Sequence, residues 1–203
     1  MILGRMQALL ESLYDAPVEH EAEQFLISDR KELANILGSD VDDYSDEQVF
    51  IAEGADGVRV GLFIDSQVLS RLARQDPLEA LSDENLQDFC TALEGVSHFH
   101  YLIWSLSRGR DVSLLELELQ AEVDKYASAL TLLTRQRDGE YPRTLHAQLF
   151  DRVSYMPQLG EAARHRYEAA NRHAARYCRE LDERFLRRRT CRPDCAGSDT
   201  ARS

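Results

Sequence analysis

At 203 residues, 43% of them hydrophobic and 30% charged, the chain is long enough to bury a core and unlike collagen-like, disulfide-scaffold or largely disordered sequences. Its net charge of -12 is unevenly divided: residues 1–100 carry 6 Lys or Arg against 21 Asp or Glu, and residues 101–203 carry 18 against 15. The acidic half repels nucleic acid and anionic membranes at long range, so any nucleic-acid reading rests on the C-terminal third.

The first 80 residues read as a small mixed α/β lobe. Met6, Leu9, Leu10 and Leu13 recur at helical spacing and predict a leading helix over 2–13, closed before Pro17. Residues 1–10 lack the apolar core and cleavage site of an export signal, and no later stretch approaches the roughly 20 apolar residues of a membrane span, so a cytoplasmic protein without membrane contact is expected. A short strand over 23–27 precedes a helix capped by Asp29 and ended at Gly38. The acidic connection 39–47 lacks the glycine and glutamate of a calcium loop and reads as solvated. Residues 48–54 and 58–65 form a hairpin about Asp56-Gly57, its sheet covered on one side by a following helix over 66–75.

From residue 81 to 190 the pattern is helical. Ser82 is the expected cap of a helix running to 106, with Leu81 and Leu86 as its hydrophobic staple; Ser113 and Glu116 form a capping box for the next, which ends near 135. A third helix over 143–154 and a long fourth over 161–189, free of glycine and proline, complete an antiparallel bundle joined by short loops. The fold class expected is α+β: a hairpin-containing lobe, 1–80, against a helical bundle, 81–190, with a flexible tail, 191–203. Cys90 and Cys178 fall in apolar helical patterns, whereas Cys191 and Cys195 sit in the polar tail without a second ligand pair.

Three polar positions break the apolar pattern. Glu122 lies within the stripe of Leu115, Leu119, Tyr126, Leu130 and Leu133, with Glu118 one turn earlier on its flank. A carboxylate held there has to be paired, hydrogen-bonded, protonated or metal-bound. Glu94 and His98, four apart, share one helix face, where Gly95 and Ser97 let another element or a ligand come close. Asn171 sits in the seam of the last helix and needs partners for its amide, supplied by the core or by a bound molecule.

Around a common interior space, Glu94, His98 and Glu122 are the candidate catalytic groups. Glu94, His98, Glu118 and Glu122 are the candidate metal ligands, and Asn171 the candidate cofactor contact. The spacing departs from the Glu-x-x-His pairs of di-metal bundles, and a structural polar network accounts for the same residues. No glycine-rich phosphate loop, serine elbow or Cys-His pair is present in the sequence, and the cofactor stays open. With no complete catalytic set and two halves of opposite charge tendency, the first expectation is an adaptor or regulatory protein binding a protein partner. The alternatives are a metal-dependent helical-bundle hydrolase or redox enzyme, and nucleic-acid binding through the arginines of the last helix.

Overall fold

The computed structural model describes residues 1–38, 45–54, 57–155 and 160–186. Helix α1 (Ile2–Tyr14) ends at Asp15, whose positive φ of 51° closes the last turn. A 3-10 turn (Ala22–Phe25) leads into the two-residue strand β1 (Leu26–Ile27). Helix α2 (Arg30–Leu37) starts where the Asp29 carboxylate accepts from Lys31 N and stops at Gly38, φ 60°. Strands β2 (Glu47–Gly54) and β3 (Gly57–Ile64) pair antiparallel, with Glu47 opposite Ile64, and β1 joins the free edge of β3 in parallel to give the order β1-β3-β2.

The sheet is covered on both faces, not one, and the covering helix is not the one expected. One face carries Leu62 and Ile64 into the main core beneath α4 (Leu86–Leu106), while α3 (Ser66–Arg74) packs beside α4. The other face buries Phe50 and Phe63 with Leu33 of α2 in a small second core. Gly61 makes that second layer possible, since a Cβ there would fall 2.1 Å from the Phe50 ring.

Helix α4 begins later than expected because Asn85, not Ser82, organises its entry. The Asn85 side chain accepts from Ser82 N and donates to the carbonyls of Gln75 and Ala80, fixing the preceding loop, and helical geometry starts at Leu86. Helix α5 (Leu114–Gln136) opens on the expected box: Ser113 Oγ accepts from Glu116 N, and the Glu116 carboxylate accepts from Ser113 N. Helix α6 is confined to Leu145–Phe150, and α7 runs over Glu161–Leu181 before a π-helical turn, Asp182–Leu186. Buried Asp182 in that turn accepts from the hydroxyls of Tyr126 and Tyr141 at 2.6 and 2.5 Å, locking α7 to α5.

Helix α5 lies between α4 and α7, while α1 leans on α4 and α5. The lobe packs against the bundle through one continuous core: Leu3, Met6, Leu10, Leu62 and Val68 from the first 80 residues meet Phe89, Leu93, Phe99, Tyr126 and Ala129. No helix among the described residues is long and apolar enough to cross a membrane. The tail, with Cys191 and Cys195, and most of the acidic connection lie outside the described residues.

Candidate metal centre

The site is made where the start of β2 passes over the middle of α4. Gly95 allows it: a Cβ on that residue would stand 2.9 Å from Leu62 and 3.2 Å from Glu47 Oε2. Backbone contact at Gly95 therefore places the Glu47 carboxylate on the same helix face as Glu94 and His98, and α5 supplies Glu118 from the facing side.

Glu94, His98 and Glu118 each present one donor atom such that the three lie within 4.8 Å of one another. His98 and Glu118 are each only 7% exposed. His98 Nε2 stands 3.7 Å from Glu118 Oε2, and its Nδ1 stands 3.6 Å from Glu47 Oε2. Both separations exceed a hydrogen bond. Among the described residues, His98 Nε2 and Glu47 Oε2 are buried with no hydrogen-bond partner at all. Such orphans are rare in a folded interior and call for a ligand, water or ion. Two donors about 2.1 Å from one tetrahedral ion lie about 3.4 Å apart, close to the separation of His98 and Glu118.

Glu122 does not belong to this triad. Its Oε1 accepts from Lys125 Nζ at 2.7 Å, and the same ammonium donates to Glu94 Oε2 at 3.0 Å. Glu94 is thus shared between the triad and a second, ammonium-centred group one turn further along α5. Arg166 of α7 reaches Glu118 Oε1 at 3.3 Å.

The electrostatics follow from burying so many carboxylates together. Burial opposes the imidazolium of His98, yet Glu47, Glu94 and Glu118 outweigh it and push the ring up to about 9. Burial likewise raises Glu118, to about 7, against the opposing pull of His98 and Arg166. Glu47 and Glu122 also move up, chiefly by burial. Glu94 resists its burial and is held below the usual carboxylate value by Lys125 and His98. Lys125 is held well above the ordinary lysine value, because Glu94 and Glu122 overcome its desolvation.

A cleft of about 380 Å³ between α4, α5 and the end of α6 meets this group on the side of Glu94, Glu122 and Lys125, which line it together with Thr91, Gln148 and Arg152. It offers a route by which a small polar molecule can reach the shared Glu94 carboxylate.

The residues expected from sequence thus separate. Glu94, His98 and Glu118 come together; Glu122 stands beside them, on the cleft. Asn171 lies on the α6–α7 contact instead, its Nδ2 donating to the carbonyl of Phe150 at 3.2 Å and its Oδ1 buried without a described partner. Three members escaped the sequence reading. Glu47 falls in the acidic connection that reads as solvated, Lys125 stands three residues after Glu122 without breaking the polar pattern, and Arg166 is one of the last-helix arginines weighed for nucleic acid. Of these, only the Glu122–Lys125 spacing was a usable local signal.

Comparison of the chain with family models, curated proteins and solved structures finds no match.

Proposed function

We propose that the chain is a metal-dependent hydrolase whose divalent ion is held by Glu94, His98 and Glu118. The observation that carries this reading is the convergence of donor atoms from Glu94, His98 and Glu118 within 4.8 Å, among them a buried imidazole nitrogen that makes no hydrogen bond to a described residue. One nitrogen and two carboxylate donors suit a first-row divalent ion such as Zn²⁺, Mn²⁺ or Fe²⁺. Glu47, at the opposite ring nitrogen, supports the assignment as the carboxylate that fixes the tautomer and orientation of a ligating histidine.

An ion held by these three residues would supply Lewis-acid activation of a water at near-neutral pH. Glu122, on the cleft wall and raised above the ordinary carboxylate range by burial, would be the base suited to take a proton from a water activated there. Lys125 is the group suited to meet negative charge developing on the substrate. Hydrolysis is favoured over the adaptor reading because it gives the orphaned atoms, the buried carboxylates and the cleft one common explanation.

The test uses tag-free protein stripped of metal and screened on a panel of chromogenic carboxylic and phosphoric esters, with Mn²⁺, Zn²⁺ or Fe²⁺ restored singly under reducing, anaerobic conditions. Turnover that returns with one of these ions and falls at least a hundredfold in Glu122→Gln, with metal content retained, is the expected result. An ion bound with no hydrolysis of any ester would overturn the hydrolase assignment while leaving the metal site. Absence of binding returns the protein to the adaptor class.

A further inference from the structure

The donor set around Glu94 holds more carboxylate than one metal ion uses. Glu47, Glu94 and Glu118, from a β-strand and two facing helices, surround a single histidine, and Glu122 joins Glu94 on the Lys125 ammonium beside them. Four carboxylates match the acidic half of the donor set of a two-metal bundle site, although here one comes from a strand and one histidine stands where such a site has two. Here Glu94 is the residue common to the two groups. It takes part in the His98–Glu118 triad while its Oε2 accepts from Lys125 Nζ at 3.0 Å, and Glu122 Oε1 accepts from the same nitrogen at 2.7 Å.

We propose that the Lys125 ammonium is the built-in second cation of this centre, standing between Glu94 and Glu122 where a second metal ion would stand and limiting the protein to one. The inference rests on the metal-site reading of the neighbouring triad and adds its nuclearity. Charge balance supports it. Lys125 and Arg166 neutralise two of the four carboxylates, and the two negative charges left are what one divalent ion neutralises once His98 ligates as a neutral ring. A second divalent ion would have to displace a buried ammonium held by two carboxylates. Lys125 also lines the cleft, so a substrate arriving there meets one ion and one fixed ammonium. That arrangement suits single-ion hydrolysis and denies the site the paired redox ions of a dinuclear oxidase.

The experiment counts metal equivalents bound per chain by Mn²⁺ titration and elemental analysis after gel filtration, comparing the parent protein with Lys125→Ala, Lys125→Ser and Lys125→Arg. The ammonium-surrogate reading predicts one more ion per chain in the Ala and Ser variants than in the parent, and no gain in the Arg variant. This difference is independent of the parent's own count. A parent without metal and a variant with one ion would defeat the triad reading but keep the lysine's role, whereas equal counts in parent and variant would overturn the role of Lys125. Should the Ala and Ser variants lose their fold, added Mn²⁺ is expected to restore it, and failure of the ion to restore either variant would overturn the proposal as well.

Discussion

Two buried acidic groups lie between α4 and α5, and their difference is the strongest guide to function. At one, Asp124 is 2% exposed and its oxygens are fully engaged: Oδ2 accepts from Ser97 Oγ at 2.6 Å, and Oδ1 accepts from Tyr14 OH at 2.5 Å and Gln120 Nε2 at 2.8 Å. At the other, one face further round, His98 Nε2 and Glu47 Oε2 make no hydrogen bond to a described residue, while three carboxylates, Glu47, Glu94 and Glu118, crowd one imidazole. Burial raises both Asp124 and Glu118, so acidity alone does not separate them. Satisfaction does: a carboxylate whose oxygens are all occupied by the fold ties elements together, and one left short of donors is available to something else.

The largest effect that would sharpen this contrast is on stability. Asp124→Ala leaves the Ser97 and Tyr14 hydroxyls without their acceptor and is expected to cost about 3 kcal/mol in denaturant unfolding, with the metal stoichiometry unchanged. If Asp124→Ala instead abolished metal binding at full stability, the division between the two groups would be wrong.

The next effect is on affinity. Glu47→Gln removes the carboxylate that orients His98 and is expected to weaken metal binding about 10- to 100-fold by isothermal titration. An unchanged affinity would detach Glu47 from the centre.

A third prediction concerns pH. His98 folded at about 9 against an ordinary 6.5, and Glu118 at about 7 against 4.5, both bind protons more tightly folded than unfolded. Their contribution is therefore fully present on the acid side and is lost as pH rises, through about 7 for Glu118 and through about 9 for His98. Metal-free protein should melt at a lower temperature at pH 9 than at pH 6. Because an ion takes the place of the protons, added metal should stabilise most at the alkaline end, by about 2.7 kcal/mol when present at a hundred times its dissociation constant. Stabilisation by metal that grows toward acid pH would contradict ligation by His98.

The smallest expected effect is at the rim. Arg166→Gln takes a partly exposed cation from Glu118, costing the metal-free protein at most about 1 kcal/mol and strengthening metal binding a few-fold, because a like charge has left the ion's surroundings. Weaker binding in that variant would make Arg166 a support of the ligand geometry.

Much of the fold was legible because it is written in local signals. The Asp29 cap, the Ser113–Glu116 box and the strand–turn–strand pattern before α3 each depend on residues a few positions apart. The entry to α4 was misread because Asn85 is fixed by carbonyls of the preceding loop, a tertiary matter, while Ser82 had the better local pattern. The third helix is shorter than its periodicity suggests, closing where Asn171 of α7 takes the Phe150 carbonyl.

The candidate site was legible to the same depth. Glu94 and His98 share a face by spacing alone, and Glu118 and Glu122 share another, so the two helices each declared half of it. Which half-pairs meet was not legible: it depends on the crossing of α4 and α5, which brings Glu118 to His98 and Lys125 to Glu94. Glu47 was out of reach of any helical periodicity, because it arrives from a strand that closes on α4 at Gly95.

Crystals soaked in Mn²⁺ and measured at the manganese edge give the most direct reading of the whole account. One anomalous peak within bonding distance of His98 Nε2 and of carboxylate oxygens of Glu94 and Glu118 is the expected result. A map with no peak at that position, from crystals in which His98 instead lies hydrogen-bonded as an imidazolium between Glu47 and Glu118, would contradict it.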